Sequence, residues 1–437
     1  MKKVVYLLVI AGLTVNYPLF SQDTLRISQS ELLENVASNN YQIKIADQQV
    51  SMARADYRQS NALYLPSLSV SHTAMSTTNP LMAFGAKLNQ EILTPADFDP
   101  AQLNDPSRTQ NYATEVLVLQ PLFNLDGVYE RQAAKIQQDA IQLQADRTRE
   151  AMELEVGKAY MQLQLAYEAA EVLERARVTS QEGVKLITDY YEEGLIQKSD
   201  LLAVQVRATE VENQLRYAKT NIRNASEYIG FLMGKGAEGT IYKPTERAPI
   251  SIEQVDYPQL LSSFRKDIVA MEKSVTGYEK MLRSSRMKFL PTINAFGSYQ
   301  LYDEQLLGMS ASGYLVGAKL SWNLFDGYKS VGKMSKAKAE TDKARMENEQ
   351  YKLQQQMELN KTNRQLADAE RKVQLTRLAL DQSAEAYRIR KDRFEEGLEK
   401  TTDLLMAETQ MFQKELEFRQ AIFEYNFTKE YLEFLTR

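Results

Sequence analysis

The sequence predicts an α+β chain built from two copies of one unit, in which long coiled-coil helices alternate with amphipathic β-hairpins. Three observations carry this. Landmarks recur in the same order at a fixed offset, helical stretches of about 60 residues run almost without breakers, and short segments alternate apolar and polar residues with period two.

The recurrence is direct. Glu192-Glu193-Gly194-Leu195, followed by Asp200-Leu201-Leu202, returns as Glu395-Glu396-Gly397-Leu398, followed by Asp403-Leu404-Leu405, an offset of 203 (395 − 192). Tyr228 and Phe231 are answered by Tyr431 and Phe434. Earlier in each copy Leu65-Pro66 matches Leu290-Pro291, and Leu122-Phe123 with Asp126-Gly127 matches Leu324-Phe325-Asp326-Gly327. The chain divides into a leader (1–21), a first repeat (22–232), an inter-repeat linker (233–256) and a second repeat (257–437).

In chain order, the leader comes first. Lys2 and Lys3, the apolar run Val4 to Leu13, and Asn16, Pro18 and Ser21 before Gln22 have the layout of a secretory signal peptide cut near Ser21–Gln22. The run is too short to span ~30 Å of hydrocarbon. Removing the two lysines takes the formal charge from −5 to −7, which argues against nucleic acid as a partner. There is no cysteine, so neither a disulfide nor a lipid-bearing cysteine is possible. With one histidine, His72, and no nucleophile–base set, metal cluster or phosphate loop, an enzyme is the least favoured class and no cofactor is expected. His72 itself reads as an interfacial or packing residue.

Each copy opens with a helical stretch, about Ser28 to Ala62 and about Tyr257 to Lys288. Pro66 and Pro291 end them. Alternation follows. Ser67, Ser69, Ser71 and Thr73 oppose Leu68, Val70, His72 and Ala74; Thr292 and Asn294 alternate with Ile293 and Ala295. Val316, Ala318, Leu320 and Trp322 oppose Gly317, Lys319, Ser321 and Asn323, and Tyr112 to Gln120 forms the matching strand of the first copy with blurred alternation. Each copy therefore carries one hairpin with an apolar and a polar side. The first hairpin is longer by 23 positions around Asn79 to Asn111, a segment that belongs on an exposed loop.

Asp126-Gly127 and Asp326-Gly327 turn each strand into a helix of about 60 residues, on the order of 90 Å long. Such a helix must pack in a coiled coil or bundle. Ala159, Leu163, Ala166, Ala170 and Leu173 step by four and three. Leu201, Val204, Ala208, Val211, Leu215, Ala218, Ile222, Ala225, Ile229 and Leu232 hold a 3.5-residue seam. Leu404, Ala407, Met411, Phe418, Ala421, Tyr425, Leu432 and Leu435 are its counterpart, interrupted by Lys414 and Thr428. The linker, with Gly234, Gly236, Gly239, Pro244 and Pro249, reads as irregular.

Four strands with one apolar face have no partner sheet in the sequence, and segments of about ten alternating residues match a transmembrane β-barrel. Four strands cannot close a barrel, and open edges do not survive in lipid, so copies of the chain must share one. Two copies would give eight strands and a filled interior; three would give twelve and an aqueous bore. Glu115, Lys319, Ser321 and Asn323 suit the lumen of such a bore. Trp322 and Tyr112 fit interfacial girdles or ordinary packing.

In this order and duplicated, the Leu-Pro strand entries, the exits Pro121-Leu122-Phe123 and Leu324-Phe325-Asp326-Gly327, and the Gly-Leu turns followed by Asp-Leu-Leu resemble the TolC-like outer membrane efflux protein family over essentially the whole mature chain. The resemblance implies a homotrimer with a twelve-stranded barrel in the outer-membrane lipid of a Gram-negative bacterium and a periplasmic α-helical tunnel. It also implies a periplasmic adaptor (membrane fusion protein) and an inner-membrane pump as partners, for drug efflux, metal efflux or type I protein secretion. A rival of another class is a secreted periplasmic coiled-coil scaffold without a channel, which explains the heptads but not the hairpins.

Gly194 and Gly397 supply left-handed helix ends, and Leu195 and Leu398 follow them. For Ser199-Asp200 and Thr402-Asp403 two readings stand. One is a helix cap. The other follows from the resemblance, which implies that Asp403 lines the closed periplasmic mouth. Some relatives carry another acid one turn on, where this chain has Met406. Lys400 and Arg393 are the candidate partners of Asp403, and the surface around both turns is where the resemblance implies adaptor contact.

Overall fold

The computed structural model describes residues 24–236, 239–250 and 257–437; the leader and the end of the linker lie outside them. The elements run β1 (Thr24–Ile27), α1 (Gln29–Asn39), α2 (Tyr41–Gln59), β2 (Ser67–Thr77), α3 (Pro80–Asn89), α4 (Pro100–Asn104), β3 (Thr109–Phe123), α5 (Leu125–Glu192) and α6 (Lys198–Leu232). They continue with β4 (Ile241–Pro244), α7 (Lys266–Met287), β5 (Thr292–Asp303), β6 (Ala311–Ser321), α8 (Lys329–Glu395) and α9 (Thr401–Thr436). Among the described residues no helix is long and apolar enough to cross a membrane.

The residues cluster into two units. One takes the chain up to Tyr41, Met152–Tyr257 and Thr362–Phe434. Here the later part of α5, all of α6, the later part of α8 and nearly all of α9 pack on the residues that the heptads single out. Ala159, Leu163, Ala166 and Leu173 are buried on α5, and Val204, Val211, Leu215, Ala218, Ile222, Ile229 and Leu232 on α6. The seam is not strict. Arg207 and Ser226 are buried where Ala208 and Ala225, one position away, are half-exposed. Ser226 is buried for a reason: its Oγ accepts the Tyr242 amide at 3.0 Å and so holds β4.

β4 corrects the linker, which is not irregular throughout. It pairs in parallel with β1 from Thr24↔Ile241 to Ile27↔Pro244. Tyr160 fastens the pair from below, accepting the Thr245 amide at 3.2 Å and donating to the Glu246 carboxylate. The expected helix over 28–62 is also broken. Asn40 adopts an extended backbone between α1 and α2, and its amide donates to Leu232 O at 2.8 Å at the end of α6. A side chain that completes another helix's terminus explains a break no proline or glycine announced.

The other unit takes Gln42–Ala151, Pro258–Lys361 and Leu435–Arg437. It holds α2, the first part of α5, α7, the first part of α8 and a four-stranded antiparallel sheet of order β2-β3-β5-β6. Both hairpins are present, and β3 pairs with β5 to join them. The second helical stretch is shorter than expected: α7 starts at Lys266. Arg265, 1% exposed, fixes that start by donating to Leu435 O at 3.0 Å, to Gln355 Oε1 at 2.8 Å and to the Asp267 carboxylate. Tyr351 donates to the same carboxylate at 2.7 Å. Burial alone would raise the Asp267 carboxyl, but these hydrogen bonds and the Arg265 charge hold it below the usual range.

The strand-to-helix junctions, read alike in the sequence, differ. Asp126 and Gly127 lie inside the first turn of α5, where Asn124 Oδ1 accepts the Gly127 amide at 3.0 Å. Gly327 and Tyr328 instead take left-handed backbones at φ 65° and 68°, and Asp326 accepts the Ser330 amide at 3.0 Å to start α8. The long insertion differs from a plain loop as well. It folds into α3, a short 3-10 turn at Pro95–Phe98 and α4, with Ala83 and Ala86 buried.

Candidate functional site

Two places concentrate the predicted residues: the sheet, and the paired helix turns. In the sheet, directly paired residues share a face, so the register sorts every side chain. One face carries Leu68, Val70, His72, Tyr112, Val116, Val118, Ile293, Ala295, Tyr299, Leu301, Tyr314, Val316, Ala318 and Leu320. The register also places Thr114, Gln120, Asp303 and Ser312 there, but the face is mostly apolar and bare, with Tyr314 at 81% and Val316 at 73% exposure. His72 stacks on Tyr112 with ring centroids 6.3 Å apart and meets Thr114 Oγ1 at 2.9 Å. Trp322, just past β6, donates its indole N–H to Phe289 O at 2.9 Å.

The opposite face carries Ser67, Ser69, Ser71, Thr73, Asn111, Glu115, Thr292, Asn294, Ser298, Gln300, Gly313, Lys319 and Ser321. Glu115, Lys319 and Ser321 thus share one face, as expected of a common lining. Asn323 does not join them in the ladder, because β6 ends at Ser321. Glu115 accepts a hydrogen bond from Gln300 at 2.9 Å, and Tyr302 donates to Gln300 at 2.5 Å. Gln300 and Tyr302 were not singled out from the sequence, though the alternation of β5 carried forward from Asn294 reaches both. The blurred pattern of β3 also has a cause. Leu117 and Leu119 stand on the polar face, Leu119 directly opposite Phe296, and the Phe296 ring lies over Gly317, where a Cβ would meet it at 2.8 Å. Pro66 and Pro291 sit one residue before β2 and β5. Among the described residues β2 and β6 each leave one edge unpaired.

The helix turns are built alike. Gly194 and Gly397 have φ of 76° and 72°. In each, the glycine and the following leucine donate back across the last turn: Gly194 to Tyr191 O and Leu195 to Tyr190 O, Gly397 to Phe394 O and Leu398 to Arg393 O. This is the Schellman arrangement, which requires the left-handed residue that glycine supplies. Leu195 and Leu398 are exposed. The two turns are brought together: Ile187, Val204 and Phe394 form one cluster with Tyr190, Ile196, Leu201, Leu404 and Leu405 around it.

Asp200 and Asp403 are each the third residue of a helix rather than the cap itself. The Asp200 carboxylate accepts the Gln197 amide at 3.2 Å, which satisfies a free N–H of the first turn. Among the described residues Asp403 receives no such bond, and its expected partner is committed elsewhere. Arg393 pairs with Glu399 at 3.0 Å, and Arg390 holds the same carboxylate at 2.9 Å. Lys400 makes no ion pair among the described residues. Just beyond the turns, Glu408 of α9 is 4% exposed and its Oε1 has no partner; Arg207 of α6, 9% exposed, has an unpartnered Nε. Burial pushes the Glu408 carboxyl up to about 7 against the opposing pull of Arg207. Sequence pattern missed this pair because both residues sit one position off the seam.

The model of the family described as "Outer membrane efflux protein" matches residues 32–235 and 257–427. Solved structures share the fold. The Campylobacter jejuni CmeC outer membrane channel aligns at TM-score 0.82 and 16% identity, over 93% of this chain and 85% of its own. A membrane protein from Pseudomonas aeruginosa aligns at 0.80 and 19%, over 93% and 92%. VceC, an outer membrane protein of Vibrio cholerae, aligns at 0.77 and 17%, over 92% and 95%. No curated protein sequence matches the chain.

Proposed function

The chain belongs to the outer membrane efflux protein family, and on that premise we propose that it is the channel-tunnel of a tripartite efflux system. Three copies form a twelve-stranded barrel and a periplasmic helical tunnel, a passive exit duct for substrates delivered by an inner-membrane pump through a periplasmic adaptor. The protein resides in the outer membrane of a Gram-negative cell.

The observation that carries the reading is a sheet with one bare apolar face and two unpaired edges. A contiguous apolar face of this kind marks a membrane or protein contact. Its height suits lipid. The register runs from Tyr112, at the hairpin end of β3, to Phe123, eleven steps away opposite Ile293. At ~3.3 Å per residue and a tilt of ~40° this is about 27 Å, close to the ~25 Å apolar band of outer-membrane barrels. Unpaired edges in hydrocarbon would each leave several backbone groups without partners, so β2 of one copy pairs with β6 of the next. The polar face, with Glu115, Lys319 and Ser321, then lines water.

At the other site we assign the turns at Gly194 and Gly397 to adaptor contact and Asp403 to the periplasmic mouth. The supporting observation is that the Asp403 carboxylate has no partner among the described residues while Asp200 caps its helix. Native mass spectrometry in detergent and planar-bilayer recording test the whole reading. A trimer that conducts ions supports it. A monomer, or a protein soluble without detergent, refutes it in favour of a scaffold.

A further inference from the structure

The insertion of the first hairpin folds back over one face of the sheet. Among the sheet residues nearest the hairpin ends, Thr109, Asn111 and Ala311 are 4–8% exposed. By register all three belong to the polar face, the face of Glu115 and Lys319. On that side α3 packs against β3 and β6, with Ala83 and Ala86 buried along it and Gln90 closing its C-terminal end. Gln90 pins it there. Its side-chain amide donates to Asn111 Oδ1 at 2.8 Å and to the carbonyls of Gln110 and Asp303 at 2.9 and 3.1 Å, where the β3–β5 ladder stops at Tyr112–Asp303.

The other side of α3 is apolar and uncovered. Leu81 is 81% exposed, and Met82 and Leu88 about half. The one charged residue of the helix, Lys87, is drawn back to Asp97 at 2.6 Å and leaves that side without charge. Lipid cannot cover it, since the lipid-facing side of the sheet is the opposite one.

Resting on the trimer reading above, we propose that the three α3 helices of the assembly meet across the outer mouth of the bore. There Leu81, Met82 and Leu88 of one copy pack against those of the next as an apolar constriction. The dimensions agree. Twelve strands spaced ~4.8 Å apart and tilted ~40° enclose a cylinder about 24 Å across. A helix of ~10 Å lying on the inner wall takes up most of that ~12 Å radius, so three of them reach the axis. An apolar ring of this size closes a pore by excluding water rather than by charge.

The chain has no cysteine, so single thiols report cleanly. Leu88→Cys in the purified trimer should form inter-subunit disulfides under mild oxidation, whereas Val70→Cys, on the apolar sheet face, should not. The double variant L81S/L88S should raise single-channel conductance about twofold or more, the result of wetting an apolar constriction. A conducting trimer in which Leu88→Cys stays uncrosslinked and L81S/L88S conducts like wild type overturns the constriction and leaves the channel standing. A chain that neither trimerises nor conducts overturns both.

Discussion

Replacing Glu408 with glutamine removes a carboxyl that the fold holds against its preference in water. The group is 4% exposed and rises from 4.5 to about 7. The groups facing it are Arg207 of α6 and Tyr387 of α8, with Glu182 of α5 also acting on Tyr387, whose own hydroxyl is pushed up to about 12. Because the folded state binds the proton more tightly than the unfolded one, Glu408 favours folding fully below pH 4.5. That contribution is lost as pH rises toward 7. A rise from 4.5 to about 7 corresponds to on the order of 3 kcal/mol at pH 8, at ~1.36 kcal/mol per tenfold change in proton affinity. If the cost falls on local opening of α6 and α9, wild-type amides around Val204–Val211 and Ala407–Met411 should exchange on the order of 100-fold faster relative to E408Q at pH 8 than at pH 4.5. Hydrogen–deuterium exchange with mass spectrometry, corrected for intrinsic rates, reads this ratio. A ratio that stays constant across that range would mean that Glu408 is ionised in a solvated setting, and the argument from burial would fail.

Three further outcomes follow from the geometry. Asp403→Ala should alter single-channel conductance and its block by divalent cations, while Asp200→Ala should leave both alone and lower stability by about 0.5–1 kcal/mol, as loss of a capping interaction does; equal conductance in the two variants would remove Asp403 from the mouth. Gly397→Ala should cost about 1–2 kcal/mol through its left-handed backbone, read as a lower midpoint for heat-induced loss of helical circular dichroism. Arg265→Ala leaves the enclosed Asp267 carboxylate short of its main partner and should cost about 3–5 kcal/mol, seen as loss of folded protein or a markedly lower midpoint, whereas exposed Arg388→Ala should change the midpoint little.

Much of the framework was legible because it rests on period and on backbone chemistry. The alternation of Val316 to Trp322 set the faces of β6, and Gly194 and Gly397 could be read as left-handed caps since few other residues tolerate that backbone. The 3.5-residue seam found most of the α6 core. What stayed hidden depends on contacts distant in sequence. Asn40 breaks a helix to reach Leu232, Arg265 sets the start of α7 from Leu435, and Glu399 takes Arg393 away from Asp403. None of these has a periodic signature. The insertion shows the same limit: its composition announces exposure, but only the burial of Asn111 and Ala311 reveals which side it covers.

The pairing of β1 with β4 joins Thr24 to Ile241 across 217 positions (241 − 24). During synthesis β1 emerges well before its mate, which follows 217 residues later. Contacts of such separation form late, after the local helices. Until then Ile27, 3% exposed in the finished fold, is open to other apolar surfaces. The interval is a natural window for a chaperone, and a chain terminated before Ile241 never leaves it.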